Sequence, residues 1–247
     1  MRVAVAGGTG LTGRHVAESL AAAGHEPVLL ARSKGVDLVT GTGLAEALVA
    51  ADAVVDVSNV TTTRREVSER FFTAATSHLR DAAADAGVGH YVLLSIVGID
   101  RVDLPYYAGK RRQEQLLAAG TVPWTVLRTT QFHEFAAQLL ARMRGPVALV
   151  PSMLTRPVAV AEVADALVEA LDGGPVGYAT ELAGPEQLQL TDMVRQVLRR
   201  RRERRRVLPV RLPGKVGRQL RTGGALPVGD FREGKRAFAD YLETLGP

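Results

Sequence analysis

The ten residues "AVAGGTGLTG", positions 4–13, constrain this chain more than any others. They overlap "RVAVA" (2–6), a short apolar, β-branched run that reads as a buried parallel strand. They open "LTGRHVAESLAAAG" (11–24), where Val16, Leu20 and Ala23 fall on one helical face and Gly24 suits a stop. Gly8, Gly10 and Gly13 satisfy G-x-G-x-x-G, and Gly7 adds the longer G-x-x-G-x-x-G spacing. At a strand–turn–helix junction such glycines permit a tight turn. They also let backbone amides and the positive helix end approach a pyrophosphate. Thr9 and Thr12 offer hydroxyls to the same phosphates. The turn therefore implies a dinucleotide held by Gly7, Thr9, Gly10, Leu11, Thr12 and Gly13.

The rest of the chain continues the alternation of strand and helix. "EPVLLA" (26–31), "VDLVT" (36–40), "DAVVDV" (52–57), "HYVLLS" (90–95) and "PWTVLRT" (123–129) read as strands. Between them lie "GLAEALVAA", a long helix at about 65–86 with Phe71, Ala75, Leu79 and Ala82 at helical spacing, and "YYAGKRRQEQLLAAG", ended by Gly120. The fold class is α/β: a doubly wound, mostly parallel Rossmann sheet. One link does not fit. Only about five residues separate "VLLA" from "VDLVT", fewer than a helical crossover needs. The run at 36–40 is therefore either a short strand reached by a bare loop or no strand.

Past residue 145 the pattern loosens. "GPVALVPS" and "TRPVAV" look extended, "AEVADALVEALDGGP" helical and "GYATELAG" a strand. "LTDMVRQVLRRRRE" reads as a helix capped by Thr191. "VLPVRLPGK" is too proline-rich for a central strand, and "REGKRAFADYLETL" is a closing helix. The expected division is a dinucleotide-binding domain over 1–145 and a substrate-side lobe over 146–247, packed on the same domain.

Composition excludes several classes. With 247 residues, 46% hydrophobic and 23% charged, the chain buries a substantial core. It has no cysteine, hence no disulfide, thiol nucleophile or thiolate metal site. No apolar run approaches the ~18 residues of a membrane span, and the stretch before the glycines is short for a signal peptide. These features predict a soluble, cytoplasmic protein without membrane partners, as monomer or homodimer. The formal charge of +5 is local: residues 195–206, "RQVLRRRRERRR", hold eight arginines and one glutamate. Without them, 23 basic and 25 acidic residues remain. No aromatic residue interleaves the run, so no specific nucleic-acid partner is expected. Five scattered histidines without H-E-x-x-H spacing predict no metal site.

The choice of dinucleotide turns on the end of the second strand. NAD sites place Asp or Glu there for the ribose 2′-hydroxyl. Here "LLARSKG" has Arg32, Ser33 and Lys34, and no carboxylate before Asp37. A guanidinium at that point suits a 2′-phosphate, so NADP(H) is expected over NAD(H).

"GGTGLTG", "ARS", "LLSIVG", "YYAGKRRQE" and "WTVLRTTQFHEF", in that order, resemble the NmrA-like, atypical branch of the short-chain dehydrogenase/reductase superfamily, over roughly residues 1–185. The tail "VLPVRLPGK" also resembles actinobacterial NAD(P)-binding oxidoreductases. The resemblance implies a substrate pocket in the C-terminal portion. It also implies cofactor contacts at the ends of the strands at 52–57, 90–95 and 123–129, here Ser58 and Asn59, Ser95 and Ile96, and Thr130 and Phe132. Members of that branch divide between reductases of quinones, enones or related small molecules and cofactor-binding redox sensors without a working active site.

Catalytically complete reductases of the superfamily carry a Ser at the end of a strand, followed by a Tyr-x-x-x-Lys helix. The chain offers Ser95, Tyr106 and Lys110. Tyr106 and Lys110 share a helical face, whereas Tyr107 is turned about 100° away. In the functional reading Tyr106 gives its proton to a carbonyl oxygen, and Ser95 hydrogen-bonds that oxygen. Lys110 favours the ionised phenol and holds the cofactor ribose. The bland reading is an amphipathic helix after Pro105, and a slight rotation presents Tyr107 instead. His133 and Glu134 follow the strand at 123–129 and read as a local polar contact, Asp52 and Asp56 as structural. Met153 and Leu154 are candidates for an apolar substrate wall. The functions implied are an NADPH-dependent reductase of a small carbonyl, quinone or enone, or a catalytically silent NAD(P) sensor with a regulatory partner.

Overall fold

The architecture comes from a computed structural model that describes residues 1–246. Five strands are interleaved with helices: β1 (Arg2–Ala6), α1 (Leu11–Ala22), β2 (Glu26–Leu30), α2 (Leu44–Ala47), β3 (Ala53–Asp56), α3 (Arg65–Asp85), β4 (His90–Ile96), α4 (Pro105–Ala118) and β5 (Trp124–Thr129). The remainder comprises α5 (Phe135–Ala141), β6 (Val147–Pro151), β7 (Leu154–Thr155), α6 (Val160–Asp172), β8 (Gly177–Tyr178), β9 (Leu182–Ala183), β10 (Leu188–Gln189), α7 (Leu190–Arg200), β11 (Arg206–Val210), α8 (Gly214–Arg221), β12 (Arg232–Glu233) and α9 (Phe238–Thr244).

The central sheet runs β12-β9-β5-β4-β3-β1-β2, with β8 also on β5, and every pairing is parallel. Strand alternation divides its residues between two faces. Val3, Val5, Val55, Val92 and Leu127 meet Val16 and Leu20 of α1 and Val163 and Leu167 of α6. Ala4, Ala6, Val54, Tyr91, Leu93 and Val126 meet Leu79 of α3 and Leu117 of α4. Helices on both faces bury the sheet, so its strands read as continuous apolar runs. A third core, with Met153, Met193, Val197, Leu220 and Phe238, fills the C-terminal portion beside Tyr107.

The sequence reading needs four corrections. "GYATELAG" is not one strand but β8 and β9, separated by residues 179–181. Residues 36–40 form no strand, because the Asp37 carboxylate accepts the Val39 N–H at 2.8 Å and folds the segment into a turn. Val36 alone is buried, and β3 pairs directly with β1. Thr191 is not a cap. Helix α7 starts one residue earlier, after Gln189, and Thr191 is buried in its first turn. The closing helix begins only at Phe238, since Arg232 and Glu233 are drawn into a strand beside β9. The proline-rich "RVLPV" (206–210) becomes β11, outside the central sheet and paired with β6 alone. No helix among the described residues is long and apolar enough to cross a membrane.

Candidate active site

The glycine turn is built by close approach. Gly7 takes φ +77°, a left-handed conformation that L side chains resist, and the Gly10 N–H donates to its carbonyl at 2.9 Å. A Cβ at Gly13 would lie 2.2 Å from the Gly7 oxygen, so helix and turn touch backbone to backbone. One at Gly7 would come within 3.0 Å of Val57 O and Ser58 Cα, which sets the turn against the β3–α3 loop. No side chain caps α1, so its first amides stay free for an anion. Thr9 is exposed, and its carbonyl accepts from Arg14, 2.7 Å away. Leu11 and Thr12 are half-buried at the start of α1.

Three buried side-chain atoms without a hydrogen-bond partner mark the crevice: Ser58 Oγ, Ser95 Oγ and Glu134 Oε2. They follow β3, end β4 and follow β5, at the carboxyl ends of three adjacent strands. Ligands of doubly wound sheets bind outside those ends. Buried polar atoms left without partners there suit a polar ligand, and the glycine cradle fits a pyrophosphate, so the residues present fit a dinucleotide. Arg32, Ser33 and Lys34 form an exposed single 3₁₀ turn after β2. Their side chains make no hydrogen bond or ion pair among the described residues, which leaves both cations free.

The donor candidates sit on α4. Pro105 starts the helix, where its missing N–H costs nothing. The Tyr106 hydroxyl donates to Asn59 Oδ1 at 2.7 Å, and its ring packs edge-on against Phe72 at 5.9 Å. Tyr107 points into the C-terminal core, where Gln131 Nε2 donates to its hydroxyl at 3.2 Å. Burial raises the pKa of both phenols, that of Tyr107 to about 12. Burial and the neighbouring Tyr107 raise the Tyr106 phenol, and the expected lowering by Lys110 does not enter. Lys110 is 4% exposed. Its ammonium donates to Leu94 O at 2.7 Å and to Gln113 Oε1, and it lies 4.9 Å from the Phe72 ring centre. Burial lowers its pKa to about 8, against the pull of Asp56 and Glu114.

Other named residues serve the frame. Thr130 donates to Arg156 O, and its N–H to Leu182 O at 3.0 Å. Ile96 and Phe132 are half-buried against the C-terminal core and the α1–α6 core respectively. His133 is sealed, with Nε2 donating to Pro157 O at 3.1 Å between the rings of Phe238 and Tyr241, and burial depresses its pKa. Glu134 is pushed up by burial. Met153 is buried in the C-terminal core, and Leu154 is half-buried. No group of three or more metal-ligating side chains is present among the described residues. Sequence reasoning missed the joint role of Asp56 and Gln113. Gln113 Nε2 and the Tyr91 hydroxyl both donate to Asp56 Oδ2, at 2.9 and 2.7 Å. The only sequence signal was the three-residue spacing from Lys110 to Gln113.

A parallel sheet flanked on both faces and a glycine cradle at its crevice define a Rossmann-type dinucleotide-binding protein. The model of a family described as NAD(P)H-binding matches residues 7–173, and the chain belongs to that family. It is 30% identical over 215 residues, 80% of this chain and 73% of the relative, to the (4-alkanoyl-5-oxo-2,5-dihydrofuran-3-yl)methyl phosphate reductase of Streptomyces griseus. Among solved structures it is similar to the NADPH-dependent quinone oxidoreductase QOR2 of Escherichia coli complexed with NADPH, at TM-score 0.73 and 19% identity over 98% of both chains. It is also similar to the UDP-N-acetylglucosamine 4-epimerase of Bacillus cereus, at TM-score 0.72 and 18% identity over 98% of this chain and 94% of that one. The last two likenesses are of fold.

Proposed function

We propose that the protein is an NADPH-dependent reductase of a small carbonyl, quinone or enone compound. The observation that carries this reading is the Tyr106 hydroxyl on Asn59, beside Ser58, against which the nucleotide turn packs. Proton donor and nucleotide cradle thus meet on one loop. When bound, the cofactor supplies a hydride. Tyr106 supplies the proton to the substrate oxygen, the free Ser95 hydroxyl hydrogen-bonds that oxygen, and Lys110 stabilises the phenolate left behind. Arg32 and Lys34 support a 2′-phosphate and so NADPH over NADH. Residues 146–247 shape the substrate side, with Met153 on its apolar wall. The relative from Streptomyces griseus is named for the reduction of an oxo-dihydrofuran, a conjugated carbonyl compound, which supports the enone end of the range.

One observation favours the second reading, a dinucleotide sensor without turnover: the Lys110 ammonium is tied to Leu94 and Gln113 rather than to Tyr106. The test is NADPH oxidation by purified protein against a panel of quinones, ketones and enones. Turnover that drops ~10²–10⁴-fold in Tyr106→Phe, with nucleotide affinity kept, upholds the reductase. Tight nucleotide binding without turnover on any acceptor upholds the sensor.

A further inference from the structure

We propose that Gln113 and Asp56 are positioning residues for Lys110, a buried relay that fixes the lysine from beneath and ties it to the cofactor-contacting loop. The proposal rests on the reading of Lys110 as part of the reductase site. The relay has a definite direction. The Gln113 carbonyl oxygen accepts from the Lys110 ammonium, and its amide nitrogen donates to Asp56 Oδ2 at 2.9 Å. A flipped amide would set NH2 against the ammonium and a carbonyl against the carboxylate, so one orientation alone satisfies both ends. Every hydrogen bond on Asp56 comes from a donor: Tyr91 and Gln113 on Oδ2, and the Ser58 N–H on Oδ1 at 2.8 Å.

Lys110, Gln113, Asp56 and Tyr91 are all at most 4% exposed. The relay therefore operates without competing water, where a missing partner is costly. An ammonium has three N–H donors. Leu94 O and Gln113 take two, leaving one for Tyr106 or a ribose hydroxyl. The groups facing the ammonium are Asp56 from β3, the Leu94 carbonyl from β4, the Phe72 ring from α3, and Gln113 and Glu114 from its own helix, the last bound by Arg128 at 2.6 Å. Asp56 also steadies the Ser58 backbone, one residue before the Asn59 that holds Tyr106. The segment 56–59 thus grips both members of the donor pair, one directly and one through Gln113.

The chain has four lysines, at 34, 110, 215 and 235, so the Lys110 signal is assignable by NMR in cofactor-free protein with Lys110→Met as reference. Gln113→Met keeps the shape and removes both hydrogen bonds, and Asp56→Asn keeps the size and removes the charge. In each variant the Lys110 titration midpoint should fall by about one unit or more, because the ammonium loses support. The alkaline limb of turnover should move down with it. Midpoints unchanged in both variants overturn the relay. If the midpoint shifts but Lys110→Met itself turns over normally, the relay stands as structure and the assignment of Lys110 to the reductase site falls.

Discussion

Lys110 carries its proton in a buried seat that favours losing it, held there by two fixed acceptors and the face of the Phe72 ring. Its folded-state pKa of about 8 lies below the ordinary lysine value. The ammonium is present below that point and lost above it, so turnover should decline as pH rises through about 8. A rate that stays flat from pH 7 to ~9.5 would count against a charged Lys110. Tyr107→Phe should leave turnover within about twofold, since its hydroxyl meets only Gln131 in the C-terminal core. At the other end of the cofactor, Arg32→Ala should weaken NADPH by ~10-fold or more and NADH hardly at all. Nucleotide fluorescence measures both, and equal affinities in the intact protein would defeat the NADP assignment. Tyr106, Lys110 and Arg32 could be picked out from local sequence alone, by a four-residue spacing on one helix and by a place just after β2. Asp56 and Gln113 could not, because 57 positions separate them and only the packing of α4 on the sheet joins them.

At the scale of the element, the nucleotide turn has no room for a side chain at Gly13. Gly13→Ala would place a methyl 2.2 Å from the Gly7 carbonyl, against backbone that has nowhere to go. The turn must open, and NADPH affinity should drop by at least ~10-fold even where circular dichroism shows a folded chain. Unchanged affinity would mean that the turn does not hold the phosphates. The strands and helices of the first 130 residues were readable because parallel strands buried on both faces are unbroken apolar runs and their helices are strongly periodic. The misreadings share a cause. "VDLVT" has strand composition, but a single carboxylate captures its amides. Thr191 has cap chemistry, but packing buries it one residue inside α7. Arg232 and Glu233 carry no strand signal and pair because β9 offers an open edge. In each case a tertiary or side-chain contact outweighed local preference.

Across the whole molecule, the arginine run proves to be divided. Arg200 donates to the carbonyls of Leu242 and Glu243 at the end of α9, and Arg205 to those of Leu140 and Met143 at the end of α5. Guanidinium groups there add donors at helix C-terminal ends, where Leu140 O and Leu242 O also accept a backbone N–H. Arg205→Ala should accordingly lower the melting temperature by ~2–6 °C, from a loss of ~1–2 kcal/mol, as calorimetry would show. A melting point equal to that of the intact protein would make those contacts ornamental. Any binding of duplex DNA by the remaining arginines should vanish between low and physiological salt, the mark of a charge-only contact. A final consequence follows from β12, β9 and β8, which complete the sheet on the far side of β5 although they lie late in the chain. During synthesis from the N-terminus, the nucleotide turn and β1 to β5 emerge first, with β5 as a raw margin of unpaired amides and carbonyls. A chain cut short between β5 and residue 177 would therefore present β5 as an open edge, ready to pair with its neighbours.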